Sequence, residues 1–164
     1  MASVGAVWQF RYNSSSSSSY KWEFVGGTSI QHSIETHESL PAATATYSDL
    51  STVGPRIKVG LTGEYSVFIA ANSKHNVNGG VAYMSYAVGS TAAGSGEEWT
   101  AQYNWTNFTN SAVGIFGNRT TIKVATAGDE LVAKYRNNDP SSANNPIASF
   151  DRRRMIVVPV RVQA

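Results

Sequence analysis

Aromatic residues occupy every second position in two N-terminal segments, Val7 to Tyr12 and Tyr20 to Val25. A period of two is that of a strand, because a helix repeats every 3.6 residues. We therefore predict an antiparallel hairpin around a loop from Asn13 to Ser19, and we call it the aromatic ribbon. It places six rings on one face, pairing Tyr12 with Tyr20, Phe10 with Trp22, and Trp8 with Phe24. Because an isolated two-stranded ribbon is barely stable in water, something must cover this face.

Alternating or wholly apolar segments continue to the C-terminus, separated by glycine, asparagine and aspartate turn signals. Their short, regular spacing and the lack of a helical period predict an all-β antiparallel sandwich or barrel. Ala45 to Val53 fits either a short polar strand or a loop. We predict strands at Thr28 to Glu38, Arg56 to Leu61, Tyr65 to Ala71, Val81 to Val88, Glu97 to Thr109 (with a turn), Ala112 to Phe116, Thr120 to Ala125, Glu130 to Arg136, Ile147 to Phe150 and Met155 to Val162. Residues 1–27 would form a tail and the ribbon, and residues 28–164 the main body.

Three of these strands are apolar on both faces: Tyr65 to Ala71, Val81 to Val88 and Met155 to Val162. One small sandwich does not need so much apolar surface, and strands of this kind lie between two layers or between subunits. The excess predicts a subunit interface. The residues we assign to it are Tyr65, Val67, Phe68, Tyr83, Tyr86 and Val158.

Charge and cysteine content narrow the function classes. The net charge is +2 and only 15% of residues are charged, without the basic stripe that a nucleic-acid-binding domain carries. No cysteine is present, which excludes disulfides and thiolate chemistry. The longest apolar run falls far short of the ~20 residues that cross a bilayer, and no signal peptide precedes the ribbon. We expect neither nucleic acid nor membrane as a partner, and synthesis in a cytoplasm.

The sequence nominates no catalytic or metal site. His32 and His37 would point to opposite faces of one strand, and so would the adjacent Glu97 and Glu98. No nucleophile elbow, phosphate loop or dinucleotide fingerprint is present. We expect a protein that is not an enzyme and needs no cofactor.

Two further groups have a binding and a structural interpretation. Trp99, Tyr103 and Trp105 are candidate glycan contacts, since exposed rings stack on sugars, or they belong to the core or an interface. The basic run Arg152 to Arg154 could bind phosphate or an acidic partner surface. Alternatively, Arg153 is solvated and its neighbours are paired with Asp151 or with carboxylates of another chain.

Five segments together resemble a family of structural proteins of tailed bacteriophages, frequent in phages of actinobacteria. They read WQFRYN (8–13), YKWEFVGG (20–27), LTGEYSV (61–67), AGDELVAKYR (127–136) and RRRMIVVPVRV (152–162). Members form capsid decoration proteins or the C-terminal heads of minor tail and tail-fibre proteins. The resemblance spans residues 7 to 162 and implies a trimeric jelly roll, of the type also found in tumour necrosis factor and complement heads.

Fibre heads of this family follow a long shaft, whereas only six residues precede the ribbon here. We therefore expect a homotrimeric capsid decoration protein on the virion surface, made in the bacterial host cytoplasm. Its partner would be the major capsid protein, bound through the six ribbon rings and the tail Met1 to Ala6. The alternative is a receptor- or carbohydrate-binding knob that is attached to a tail shaft protein and binds a host surface glycan.

Overall fold

The computed structural model describes residues 7–41, 46–77, 79–102, 115–138 and 147–163. Within these ranges the chain forms eleven strands and no helix. The strands are β1 (Trp8–Tyr12), β2 (Trp22–Gly27), β3 (Ile30–Ile34), β4 (Glu38–Pro41), β5 (Arg56–Lys58), β6 (Gly63–His75), β7 (Val81–Val88), β8 (Trp99–Gln102), β9 (Ile115–Ala125), β10 (Glu130–Asn138) and β11 (Ile147–Val162). All of their pairings are antiparallel.

The strands form two sheets. The larger sheet has the order β1-β2-β11-β6-β9, with β3 and β4 also paired to β11, and the smaller sheet has the order β5-β10-β7-β8. The pairing is nested, because β4 joins β11, β5 joins β10, β6 joins β9 and β7 joins β8. Nested antiparallel pairing of this kind defines a jelly roll. The predicted all-β antiparallel jelly roll is confirmed, and its trimeric state stays a prediction.

Strand β11 joins the parts of the larger sheet. One of its edges pairs in turn with β4, β3 and β2, and its other edge pairs with β6 along most of its length. The sequence predicted two strands separated by the basic run, but β11 continues through it. A bulge between Asp151 and Arg154 accommodates one extra residue, and Arg152 there has a positive φ of 49°.

The bulge decides where the basic side chains point. Phe150 and Arg153 are both fully buried, whereas Arg152 and Arg154 are exposed. The prediction that Arg153 is solvated is therefore wrong. Its guanidinium pairs with Glu38 at 3.3 Å and donates to the Thr52 carbonyl at 3.2 Å. A buried cation requires such partners, because desolvating it alone costs several kcal/mol.

The core lies between the two sheets. The larger sheet contributes side chains from β6 and β11, and the smaller sheet faces them with side chains from β7 and β10. Fully buried members include Tyr65, Val67, Ile69, Met84, Leu131, Tyr135, Phe150, Met155 and Val157. The rings of Tyr135 and Phe150 meet across the interface, with centroids 4.8 Å apart.

Several strand bounds differ from prediction, and in two places the division of the chain into strands also differs. The predicted strand at Thr28 to Glu38 is divided into β3 and β4, which pair with successive parts of β11. The predicted break at Gly117-Asn118 is absent, since β9 runs through it. A Cβ on Gly117 would lie 2.4 Å from the Trp99 ring. This glycine therefore permits close packing rather than a turn.

Candidate functional site

The aromatic ribbon forms, but the predicted register is wrong by two residues at Phe10 and Tyr12, and by three at Trp8, which lies opposite Gly27 and not Phe24. Tyr12 pairs with Trp22 and Phe10 pairs with Phe24, and a bulge lies between Gln9 and Phe10. Asn13 explains the shift, because it closes the serine loop. Its N–H donates to the Lys21 carbonyl at 2.8 Å, and its Oδ1 accepts from the Ser15 N–H at 3.0 Å.

A shift of two residues preserves the face of each side chain between the bulge and the loop. Rings therefore still oppose one another there, although in other pairs than predicted, at 5.9 Å for Phe10 and Phe24 and at 5.4 Å for Tyr12 and Trp22. Trp8 and Phe10 add an edge contact at 6.4 Å. Edge-to-face contacts of this kind hold the rings in place and stabilise the ribbon beyond the area they bury.

The ribbon continues the larger sheet at its β1 edge. Strand β2 pairs with the end of β11, where Glu23 faces Arg161 and Trp22 faces Val162. Trp8 packs against the core and its Nε1 donates to the Thr28 carbonyl at 2.7 Å. The division into residues 1–27 and residues 28–164 stays a prediction. The larger sheet contains strands from both parts, because β2 pairs with β11.

The rings of the ribbon are only partly covered. Tyr12 is 56% exposed, and the other five rings are half-buried. Beside them lies a shallow groove of about 390 Å³, lined by Phe10, Trp22, Leu61, Val162 and Gln163. Its lining is almost entirely apolar. The ribbon therefore presents an open apolar surface, whose other face is polar and carries the Arg11–Glu23 ion pair at 3.2 Å.

A second open apolar surface lies at the opposite edge of the same sheet, on β9. Its most exposed side chains are Phe116 (58%), Ile122 (60%) and Val124 (53%). Ile122 faces Ser66, which lies on the outer side of β6, between the buried Tyr65 and Val67. The apolar side of β9 therefore points away from the core.

The opposite side of β9 is charged. Arg119 donates to the carbonyls of Gly96 and Glu98, both at 2.9 Å, and Lys123 pairs with Glu97. This strand thus reverses the usual arrangement of a two-layer fold, in which apolar side chains face inward. An edge strand with its apolar side outward requires a partner or a functional reason.

The apolar surface extends from β9 across the outer side of the larger sheet. Ser66 faces Val158 and Phe68 faces Ile156 on β11, and these three apolar side chains are half-buried. We call the combined set the β9 face: Phe68, Phe116, Ile122, Val124, Ile156 and Val158.

The predicted subunit-interface residues fall into two groups. Tyr65, Val67 and Tyr86 are enclosed in the core of the protomer. Burial raises the pKa of the Tyr86 phenol to about 12, against the opposing effect of its 2.5 Å hydrogen bond with Thr121. Phe68 and Val158 belong to the β9 face, whereas Tyr83 lies on the outer side of the smaller sheet. Only these last three have surface to offer a second subunit.

Sequence analysis missed the exposed side chains Ile122 and Val124. Their alternation with Lys123 was a visible signal of a strand with one apolar face. The alternation alone could not show which face of β9 the second sheet covers. Which face is covered depends on the pairing of β9 with β6, whose residues are distant in the chain.

The predicted glycan contacts do not form a stacking platform within the described residues. Trp99 is 5% exposed and packs against Gly117. Tyr103 and Trp105 lie outside the described residues, as does the predicted docking tail Met1 to Ala6.

Titratable side chains in the described ranges mostly form ion pairs, and Glu98 contacts both Tyr47 and Arg136. No group of three histidine, cysteine, aspartate or glutamate side chains there could hold a metal ion. Likewise, no helix in the described chain is long and apolar enough to cross a membrane. The buried His75 forms a hydrogen bond to the Asn137 amide oxygen at 2.8 Å.

Comparisons with known proteins add similarity of fold only. No family model matches the chain, and no curated protein sequence matches it. One similar solved structure is that of Eiger TNF from S. frugiperda, with 10% identity and a TM-score of 0.46 over 80% of this chain and 95% of that one. Another is that of infectious bursal disease virus, Gx strain, with 8% identity and a TM-score of 0.43 over 91% of this chain and 40% of that one. The jelly-roll assignment rests on the strand pairing, and membership of the phage family stays a prediction.

Proposed function

We propose that this protein is a non-enzymatic structural protein of a bacteriophage virion. It is a homotrimeric decoration protein that binds the outer surface of the capsid. The observation that carries this proposal is a jelly roll with two open apolar surfaces at opposite edges of one sheet. One surface is available for self-association while the other binds the virion.

The β9 face is the self-association surface. Its exposed members are apolar, and obligate subunit interfaces are depleted of charge in the same way. None of the six side chains is charged, and the neighbouring Glu64, which lies opposite Val124, is already paired with Arg161 at 3.1 Å. Association of two such faces therefore need not desolvate an unpaired ion, which would cost several kcal/mol. This argument supports the predicted homotrimer through residues such as Ile122 and Val124.

The aromatic ribbon is the capsid-binding surface. Tryptophan, tyrosine and phenylalanine are enriched in interfaces, and tryptophan and tyrosine contribute much of the binding energy there. The edge contacts among the rings and the Trp8 bond to Thr28 fix the ribbon before binding. A preordered surface loses less entropy on association.

Co-sedimentation with capsids assembled without this protein tests the docking claim. We expect Tyr12→Ala to weaken binding by roughly 5–30-fold, as loss of an aromatic anchor worth about 1–2 kcal/mol would. Val25→Ala is the matched control, because Val25 is 54% exposed on the same ribbon but lies at the bulge. Equal binding by both variants and the wild type would refute docking through the ribbon.

The alternative function is a receptor- or carbohydrate-binding knob of a minor tail or tail-fibre protein. The burial of Trp99 removes one of the three residues on which that interpretation depended. The number of copies per virion distinguishes the two functions: hundreds of copies indicate decoration, and a handful indicate a tail location.

A further inference from the structure

A cavity of about 430 Å³ lies on the outer side of the smaller sheet, away from both apolar surfaces. Such a volume is within the range of roughly 300–1,000 Å³ that small-molecule sites occupy. The floor is formed by β7 and β10. One wall is the segment 46–47 that precedes β5, and the other is the loop 92–98 that precedes β8. The lining residues are Thr46, Tyr47, Ala87, Ala92, Ala93, Ser95, Glu98, Lys134 and Arg136.

Small side chains create the open space. Ala87 on the floor and Ala92 and Ala93 in the wall leave room where larger side chains would fill the cavity. The loop is held over the sheet because the Ser85 hydroxyl donates to the Gly94 carbonyl at 2.8 Å. The cavity is therefore a built feature of this fold.

The two walls are tied together at one end. The Tyr47 hydroxyl donates to the Glu98 carboxylate, which also pairs with Arg136 at 3.5 Å. The Arg136 guanidinium lies over two rings, 4.0 Å from the centroid of Tyr83 and 5.2 Å from that of Tyr47. Burial and the bond to Glu98 raise the pKa of Tyr47, so that its phenol keeps the proton.

Every formal charge lining the cavity is matched. Arg136 pairs with Glu98, and Lys134 pairs with Asp49 at 2.7 Å. A charged ligand would have to displace an existing ion pair, which makes a charged ligand unfavourable. The lining is mostly apolar, with a few hydrogen-bonding groups among the apolar side chains. The buried Nε of Arg136 has no partner among the described residues, and leaving a buried donor unsatisfied is unfavourable.

We infer that this cavity binds a neutral carbohydrate, as a single pyranose ring. A sugar offers an apolar ring face to Tyr47 and the alanines, and hydroxyl groups that both donate and accept. Glu98 accepts from these hydroxyls, whereas Arg136 and Lys134 donate to them. This site differs from the predicted Trp99, Tyr103 and Trp105 set, and it does not depend on the proposed docking function.

The test is calorimetric titration of the whole chain with glucose, galactose, mannose and N-acetylglucosamine, beside glucuronate and glucosamine as charged counterparts. We expect at least one neutral sugar to bind, and more tightly than its charged counterpart. Ala93→Leu fills the cavity and should abolish binding, and Arg136→Met should weaken it at least tenfold. Arg11→Met, a change in an exposed ion pair on the ribbon, should leave binding unchanged.

Repeating the titration with methyl glycosides of the same sugars distinguishes a site for the terminal residue of a glycan from a site for a free sugar. A site for the terminal residue of a glycan binds both forms, whereas a site for free sugars loses binding when the anomeric oxygen is substituted. Absence of binding by every neutral sugar at tens of millimolar would overturn the inference. So would equal binding by wild type and Ala93→Leu, or a preference for glucuronate or glucosamine.

Discussion

Self-association through the β9 face can be tested by replacing Ile122 and Val124 together with threonine. Threonine keeps a β-branched side chain and favours strands, so that β9 should still form. The two side chains are 60% and 53% exposed. Full burial of such a side chain stabilises by about 1.5–3 kcal/mol, so covering the exposed part contributes roughly 1–1.5 kcal/mol for each.

Threonine retains one methyl group, so the double variant should lose roughly half of that sum, about 1–1.5 kcal/mol per protomer. A trimer contains the change three times. We therefore expect a total loss of roughly 3–4.5 kcal/mol, which lowers the association constant by roughly 10²–10³-fold. Sedimentation equilibrium at micromolar concentration measures it, since the wild-type mass should be three times 17.6 kDa.

Val53→Thr is the matched control. Val53 is 44% exposed but lies in the segment before β5, outside the β9 face. It should leave the association constant unchanged. A wild-type protein that is monomeric at this concentration would refute the reasoning, and so would a double variant that assembles as tightly as the control.

The remaining predictions concern the core. Glu38→Gln leaves the buried Arg153 without its carboxylate, and we expect urea titration to show a loss of roughly 3–5 kcal/mol of unfolding free energy. In the wild type, burial opposes the Glu38 charge, but hydrogen bonds from Thr52 and the charge of Arg153 outweigh it and lower the pKa of Glu38 below 4.5. Its contribution is therefore present above pH 4.5 and is lost as the pH falls through the lowered pKa. Gly117→Ala should cost roughly 1–3 kcal/mol by overpacking a ring.

Each of these has an outcome that contradicts it. Equal stability of Glu38→Gln and the wild type at pH 7 would mean that the buried ion pair does not hold β4 to β11. If the unfolding free energy of the wild type fell no more steeply with decreasing pH than that of the variant, this would contradict the lowered pKa of Glu38. Gly60→Ala is the control for Gly117→Ala, because nothing lies within 4 Å of its added Cβ. Equal effects of the two would exclude the ring contact as the cause.

Much of the strand content could be predicted from the sequence. The bounds of β7 agree with prediction, and the first arm of the ribbon forms where its alternation placed it, whereas the second arm begins two residues later than predicted and continues to Gly27. The register of the ribbon could not be predicted, because hydrogen bonds of Asn13 set the loop length. The buried position of Arg153 could not be predicted either. The bulge between Asp151 and Arg154 moves the side chains that follow it to the opposite face of the sheet.

The strand content of this chain follows from its sequence, because an alternation of period two is a local property of extended backbone. The apolar character of the ribbon and the low content of charged residues are likewise evident from the sequence. Which apolar faces stay open depends instead on how the strands pair and pack. Whether Ile122 points to the core or to solvent depends on its pairing with Ser66, and the cavity joins segments 46–47 and 92–98 over β7 and β10. Such juxtapositions arise from contacts between residues far apart in the chain, which local alternation does not encode.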